Sequence, residues 1–100
     1  MINMRHEIRK RIYSVINDIP YLKANINTIK TKTVKERMQH YITVFDSVWE
    51  TADEKTRILV DLHFWKGKDY KDIIYPYSVT TMKRIIKAFV IRLGEALGEI

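Results

Sequence analysis

Apolar residues recur along this chain at steps of three and four and almost nowhere alternate, a pattern that predicts helices throughout and no strand. The first runs from about Asn3 to Asp18, with Ile8, Ile12, Val15, Ile16 and Ile19 along one stripe and Pro20 expected to stop it. A second, shorter helix opens near Pro20, a favoured first-turn residue, and turns Leu22, Ile26 and Ile29 inward. The polar stretch Lys30 to Thr33 reads as a linker. Beyond it Val34, Met38, Ile42, Phe45 and Trp49 mark a third helix, with Thr43 and Val44 lowering its propensity a little.

The second half is more sharply punctuated. In TADEKTRILVDLHFWKGKDY, Thr51 or Asp53 can cap a helix whose first turn carries Asp53 and Glu54 at the positive end of the dipole, and Gly67 supplies a stop. Ile58, Leu59, Leu62 and Trp65 are its expected buried face. Asp69 to Tyr75 reads as a helix of about two turns that ends before Pro76 and faces Tyr70, Ile73 and Ile74 inward. Ser78 then caps the last helix, which buries Met82, Ile85, Ile86, Phe89, Val90, Leu93 and Leu97 and is closed by Gly98. The expected fold is all-α, with about six helices. Residues 1–50 are expected to form a helical support or interaction region and 51–100 a second region built on the last three helices, together one compact domain.

Composition narrows the partners. The 100 residues are 46% hydrophobic and carry a formal net charge of +6, with a pI near 9.6. Such a molecule is drawn to polyanions before any specific contact forms, nucleic acid first and an anionic membrane surface second. Cysteine is absent, which removes disulfides and thiolate metal sites. No apolar run approaches a membrane span, and the opening MINMRHEIRKRIYSVIND is broken by charge where a secretion signal would be unbroken. The expectation is a soluble cytoplasmic protein.

Within SVTTMKRIIKAFVIRL, Thr80, Lys83, Arg84 and Lys87 fall on one helical face opposite the apolar set. A supporting helix, a short helix, a tight turn and a longer helix is the order of a helix-turn-helix unit, whose last helix enters the major groove. A basic stripe on an amphipathic helix is most often plain solvated surface; its position here, on a basic protein, argues for DNA. Arg84 has the planar fork for guanine or phosphate, Lys83 and Lys87 suit phosphates, and Thr80 reaches a base edge, thymine methyl or phosphate. Val79 lies in the same exposed early half, and Lys66, Lys68 and Lys71 add phosphate contacts from the preceding bend. Tyr70, Tyr75 and Tyr77 cluster around the turn and are read first as packing. Trp49, Phe64, Trp65 and Phe89 are read as core. His6, His40 and His63 are scattered, and no metal-ligand spacing, phosphate loop or nucleophile elbow occurs, so neither catalysis nor a cofactor is expected.

The motifs LHFWKGKDYKDI, residues 62–73, and YSVTTMKRIIKAFVIRLGEALGE, residues 77–99, resemble the Gram-positive phage transcriptional regulators of the RinA and ArpU kind, and through them the fourth conserved region of sigma factors. More loosely, IRKRIYSVINDIPYLKANINTIK resembles that family's amino-terminal pair of helices around a proline. The resemblance implies a sequence-specific, double-stranded DNA-binding activator of phage late genes acting beside host RNA polymerase. It makes Ser78 the helix cap, Thr81 an early residue near phosphate and Arg84 a DNA contact. The chain departs from the pattern in having only TKTVK where some relatives carry a long polar insertion. It is also about two residues shorter between Tyr70 and Ser78, with Pro76 in the turn and Ile74 where a small residue is common.

Two other readings stand beside this one. The stripe Ile8, Ile12, Val15, Ile16 and Ile19 could serve a homo-oligomer seam, making the chain a helical adaptor or small phage packaging subunit, although no heptad is sustained as a coiled coil needs. Ile91, which interrupts the basic face, could serve the same end. The basic amphipathic MRHEIRKRIYSVI is the motif for a membrane surface and the weakest of the three.

Overall fold

The computed structural model describes residues 5–100, which form four α-helices and, among the described residues, no strand. Helix α1 spans His6–Asn25, α2 Lys32–Thr51, α3 Glu54–Val60 and α4 Val79–Ala96. A π-helical turn, Asp61–Trp65, prolongs α3, and single 3-10 turns occupy Ile26–Thr28 and Tyr70–Asp72. The expected start at Asn3, like the first residue of the amphipathic segment at Met4, lies outside the described residues. The other departures from the expected six helices each have a local cause.

Pro20 does not end the first helix. A proline inside a helix removes the N–H that would bond four residues back, here to the Ile16 carbonyl, at a typical cost of about 3 kcal/mol. The indole Nε1–H of Trp65 donates to that same carbonyl at 2.8 Å. With the vacancy filled from another element, α1 runs on through Pro20 and buries Ile12, Ile16, Ile19 and Leu22 on one stripe. Its end comes at Asn25, whose side chain donates back to the Tyr21 carbonyl at 2.9 Å. The linker is shorter than expected, because α2 takes Lys32 and Thr33 into its first turn.

Arg57, to which the sequence reading assigned nothing, terminates α2. Its Nε and Nη2 each donate at 3.0 Å, to the carbonyls of Trp49 and Glu50, and its guanidinium lies 5.8 Å from the centre of the Trp49 ring. Both carbonyls lie in the helix's last turn, where intrahelical donors run out, and that of Trp49 also accepts the Ala52 amide at 3.1 Å. Of the two expected candidates, Asp53 rather than Thr51 caps α3, accepting from the Thr56 amide at 3.0 Å and the Thr56 hydroxyl at 2.5 Å. These bonds, the hydroxyl's first, hold the Asp53 carboxyl below its usual range; Lys55, 3.6 Å away, adds a little in the same direction and desolvation opposes it. A depressed carboxylate stabilises the fold above the unfolded pKa of about 4 and loses that contribution as pH falls through the lower folded value. Asp53→Ala is therefore expected to lower stability by about 0.5–2 kcal/mol near neutrality and by less at pH 3, as urea titrations at the two pH values would measure.

In the π turn the Lys66 amide reaches back five residues to the Asp61 carbonyl at 2.8 Å. This wider turn rotates the end of the helix out of α-helical register, and Trp65 lies against α1. The core closes around α4, against which α1, α2 and α3 all pack. Phe45 stacks on Trp49 with centroids 5.5 Å apart and meets Phe89 edge-on at 5.9 Å, while Trp49 and Trp65 lie 5.2 Å apart. Val60, absent from the expected buried face, is fully enclosed, whereas Ile58, Leu62 and Trp65 are half-buried.

The helix expected over Asp69 to Tyr75 is instead the one 3-10 turn. Gly67, at φ +69°, ends the preceding helix, and the residue before Pro76 is barred from α geometry. The span between is too short to repay helix nucleation. Ile73 leaves the turn in an extended conformation, φ −82° and ψ 118°. Successive side chains of an extended segment point to opposite sides, so with Ile73 buried, Ile74 faces outward at 98% exposure rather than inward.

Candidate nucleic-acid interface

Ser78 starts α4 by accepting the Thr81 amide at 3.2 Å, as its expected cap, and also bonds the Thr81 hydroxyl at 3.0 Å. At the other end the Glu99 amide bonds the Gly94 carbonyl at 2.9 Å and the Gly98 amide bonds that of Glu95 at 3.1 Å, with Gly98 at φ +76°. This is a Schellman closure. Between these ends one side of the helix buries Met82, Ile86, Phe89, Val90 and Leu93, and that anchoring determines which residues face out.

Thr80, Lys83, Arg84 and Lys87 are all exposed on the opposite side, and Val79 precedes them at 39% exposure. Thr81 is half-buried with its hydroxyl turned to Ser78. Ile91, at the far end of the basic face, is half-buried. Lys66 and Lys68 are exposed on the segment that leads into the 3-10 turn and Lys71 is exposed within it, and this turn packs on α4. None of Lys66, Lys68, Lys71, Lys83, Arg84 and Lys87 takes part in an ion pair among the described residues; those present join Arg11 to Glu99, Lys23 to Asp46 and Lys55 to Asp53. The acidic residues of the same stretch, 66–92, are Asp69 and Asp72.

The basic face is tied to the turn through an aromatic column that sequence reading missed. His63 stacks on Tyr70 with centroids 4.1 Å apart, its Nδ1 lies 2.8 Å from the Lys68 carbonyl, and Lys83 Nζ lies 5.7 Å from the Tyr70 ring centre. Burial, reinforced by neighbouring Tyr13, pushes the Tyr70 hydroxyl up to about 12. The phenol is thus neutral at physiological pH, and Lys83 meets a ring face that orients its ammonium without cancelling the charge. A continuous helix would hold residues seven apart on one face but two turns distant; the π turn and Gly67 break it and fold Tyr70 back onto His63, which spacing alone does not reveal.

The chain matches no family model, no curated protein and no solved structure. The reading of its surface therefore rests on the residues themselves. Among the described residues no three His, Cys, Asp or Glu side chains gather as a metal site would need, and no helix is long and apolar enough to cross a membrane.

A second surface feature lies between α1, α2 and the π turn. Ile19, Pro20, Phe45, Trp49 and Trp65, with Lys23 and Asp61 at the rim, line an apolar groove of about 450 Å³.

Proposed function

We propose that the protein is a sequence-specific binder of double-stranded DNA and a transcriptional regulator, with α4 as its reading helix. The observation that carries this is the unpaired basic face of α4: Lys83, Arg84 and Lys87 beside Thr80, backed by an apolar face that buries Met82, Ile86, Phe89, Val90 and Leu93, with the expected Ile85 and Leu97 only half-buried, and flanked by three further free lysines. Charges left unneutralised by their own fold remain available to phosphates and add salt-dependent attraction. In this reading Lys66, Lys68, Lys71, Lys83 and Lys87 position the duplex, Thr81 stands near phosphate, and Val79, Thr80 and Arg84 reach base edges. The extended α3, the turn Tyr70–Asp72 and α4 then act as a sigma-like helix-turn-helix whose middle helix is reduced to one turn. The motif resemblance supports the narrower role of a phage late-gene activator working with host RNA polymerase in the bacterial cytoplasm.

The test is selection from a random duplex pool at about 150 mM salt, which screens weak surface attraction. The wild type is expected to enrich a motif and the Lys83→Ala, Arg84→Ala double variant to enrich none. A folded wild type that enriches nothing would remove the reading. The apolar groove between α1, α2 and the π turn supports a second one, a helical interaction module such as an adaptor or packaging subunit, which that negative result together with self-association in light scattering would favour.

A further inference from the structure

Ile74 is the most exposed large apolar residue described, and its exposure is imposed by its neighbours. Ile73 on one side is buried in the core and Tyr75 on the other packs against it. The Tyr77 amide closes onto the Tyr75 carbonyl at 2.8 Å around Pro76, a γ-turn that holds the tip in one shape. The Tyr75 and Tyr77 rings lie 5.3 Å apart. A single exposed apolar side chain is ordinary; here Tyr77 and Val79, each 39% exposed, share the segment, and the basic face of α4 begins immediately after it. Exposed apolar side chains followed in sequence by unpaired cations complement a polyanion that itself presents apolar groups. On the edges of base pairs in the major groove the one such group is the C5-methyl of thymine.

Resting on the DNA reading above, we infer that Ile74 contacts a thymine methyl beside the bases read by α4, so that the preferred site contains a thymine specified without a hydrogen bond. The occupant is duplex DNA. A protein or lipid partner would use these residues differently, and the test separates them.

The experiment measures binding to the motif selected by the wild type, with uracil placed for each thymine in turn, which removes only the methyl. The wild type is expected to bind about fourfold more weakly when one particular thymine is replaced, the change that burial of one methyl corresponds to. Ile74→Ala is expected to show the same fourfold loss on the thymine duplex and no further loss on the uracil duplex. Uracil sensitivity that is absent from the wild type, or that persists in Ile74→Ala, overturns the inference while leaving the DNA reading intact. So does an Ile74→Ala defect seen equally on random duplex, in self-association, or on vesicles of phosphatidylglycerol. If the wild type selects no motif, both fall together, and the Lys83→Ala, Arg84→Ala variant then behaves like the wild type.

Discussion

Arg84→Ala is expected to weaken binding to the selected duplex by about 1–3 kcal/mol and to relax the sequence at one position of the site, while Lys87→Ala weakens all duplexes alike and lowers the salt slope by about one. The two side chains stand one turn apart on the same exposed face of α4, so the difference lies in their chemistry. A guanidinium offers a fixed fork that matches the two acceptors of a guanine edge, whereas an ammonium is a compact point charge suited to a phosphate oxygen. Both residues are exposed, and their replacement leaves the buried face of the helix untouched, so a loss of affinity reports on the surface rather than on folding. Titrations of specific and random duplex at several salt concentrations measure both quantities. Equal losses on the two duplexes for Arg84→Ala would sink its base-reading role.

Replacing Trp65 by alanine is expected to cost about 3–5 kcal/mol of stability, and by phenylalanine about 1–3 kcal/mol, because the first removes a large packed ring and the second chiefly a hydrogen bond. The physical content lies in the coupling with Pro20. In the wild type the Ile16 carbonyl has no partner within its own helix, and the Trp65 indole supplies one at 2.8 Å. In a Pro20→Ala background residue 20 regains its N–H, the carbonyl is satisfied within α1, and Trp65→Phe should cost less than it does beside proline. A double-mutant cycle by urea unfolding measures this difference. Identical costs in both backgrounds would mean that the indole bond contributes nothing as a replacement for the missing helical one.

The same pair shows where sequence reasoning stops. Periodicity placed the apolar stripe of α1 correctly but halted it at Pro20, because a local rule about proline has no knowledge of a donor forty-five residues away. It likewise found Ser78 as a cap and had Asp53, beside Thr51, as a candidate for the other, since a cap is a short-range bond between neighbours in sequence. Arg57 was not legible as the terminator of α2: the carbonyls it satisfies lie across the corner between two helices, and nothing in the spacing of residues marks that corner.

For the candidate interface the division is similar. The amino-acid sequence by itself determined the all-helical class, the capped start of α4, and the separation of its apolar side from Thr80, Lys83, Arg84 and Lys87, because helical pitch converts spacing directly into faces. Tertiary structure alone decided that Tyr70 would lie under Lys83 and stack on His63, and that Ile74 would stand out from the surface instead of entering the core. Both outcomes arise in the short segment ahead of α4. Its few residues cannot repay the nucleation of a helix, so the anchoring of Ile73 in the core dictates the direction of every side chain around it.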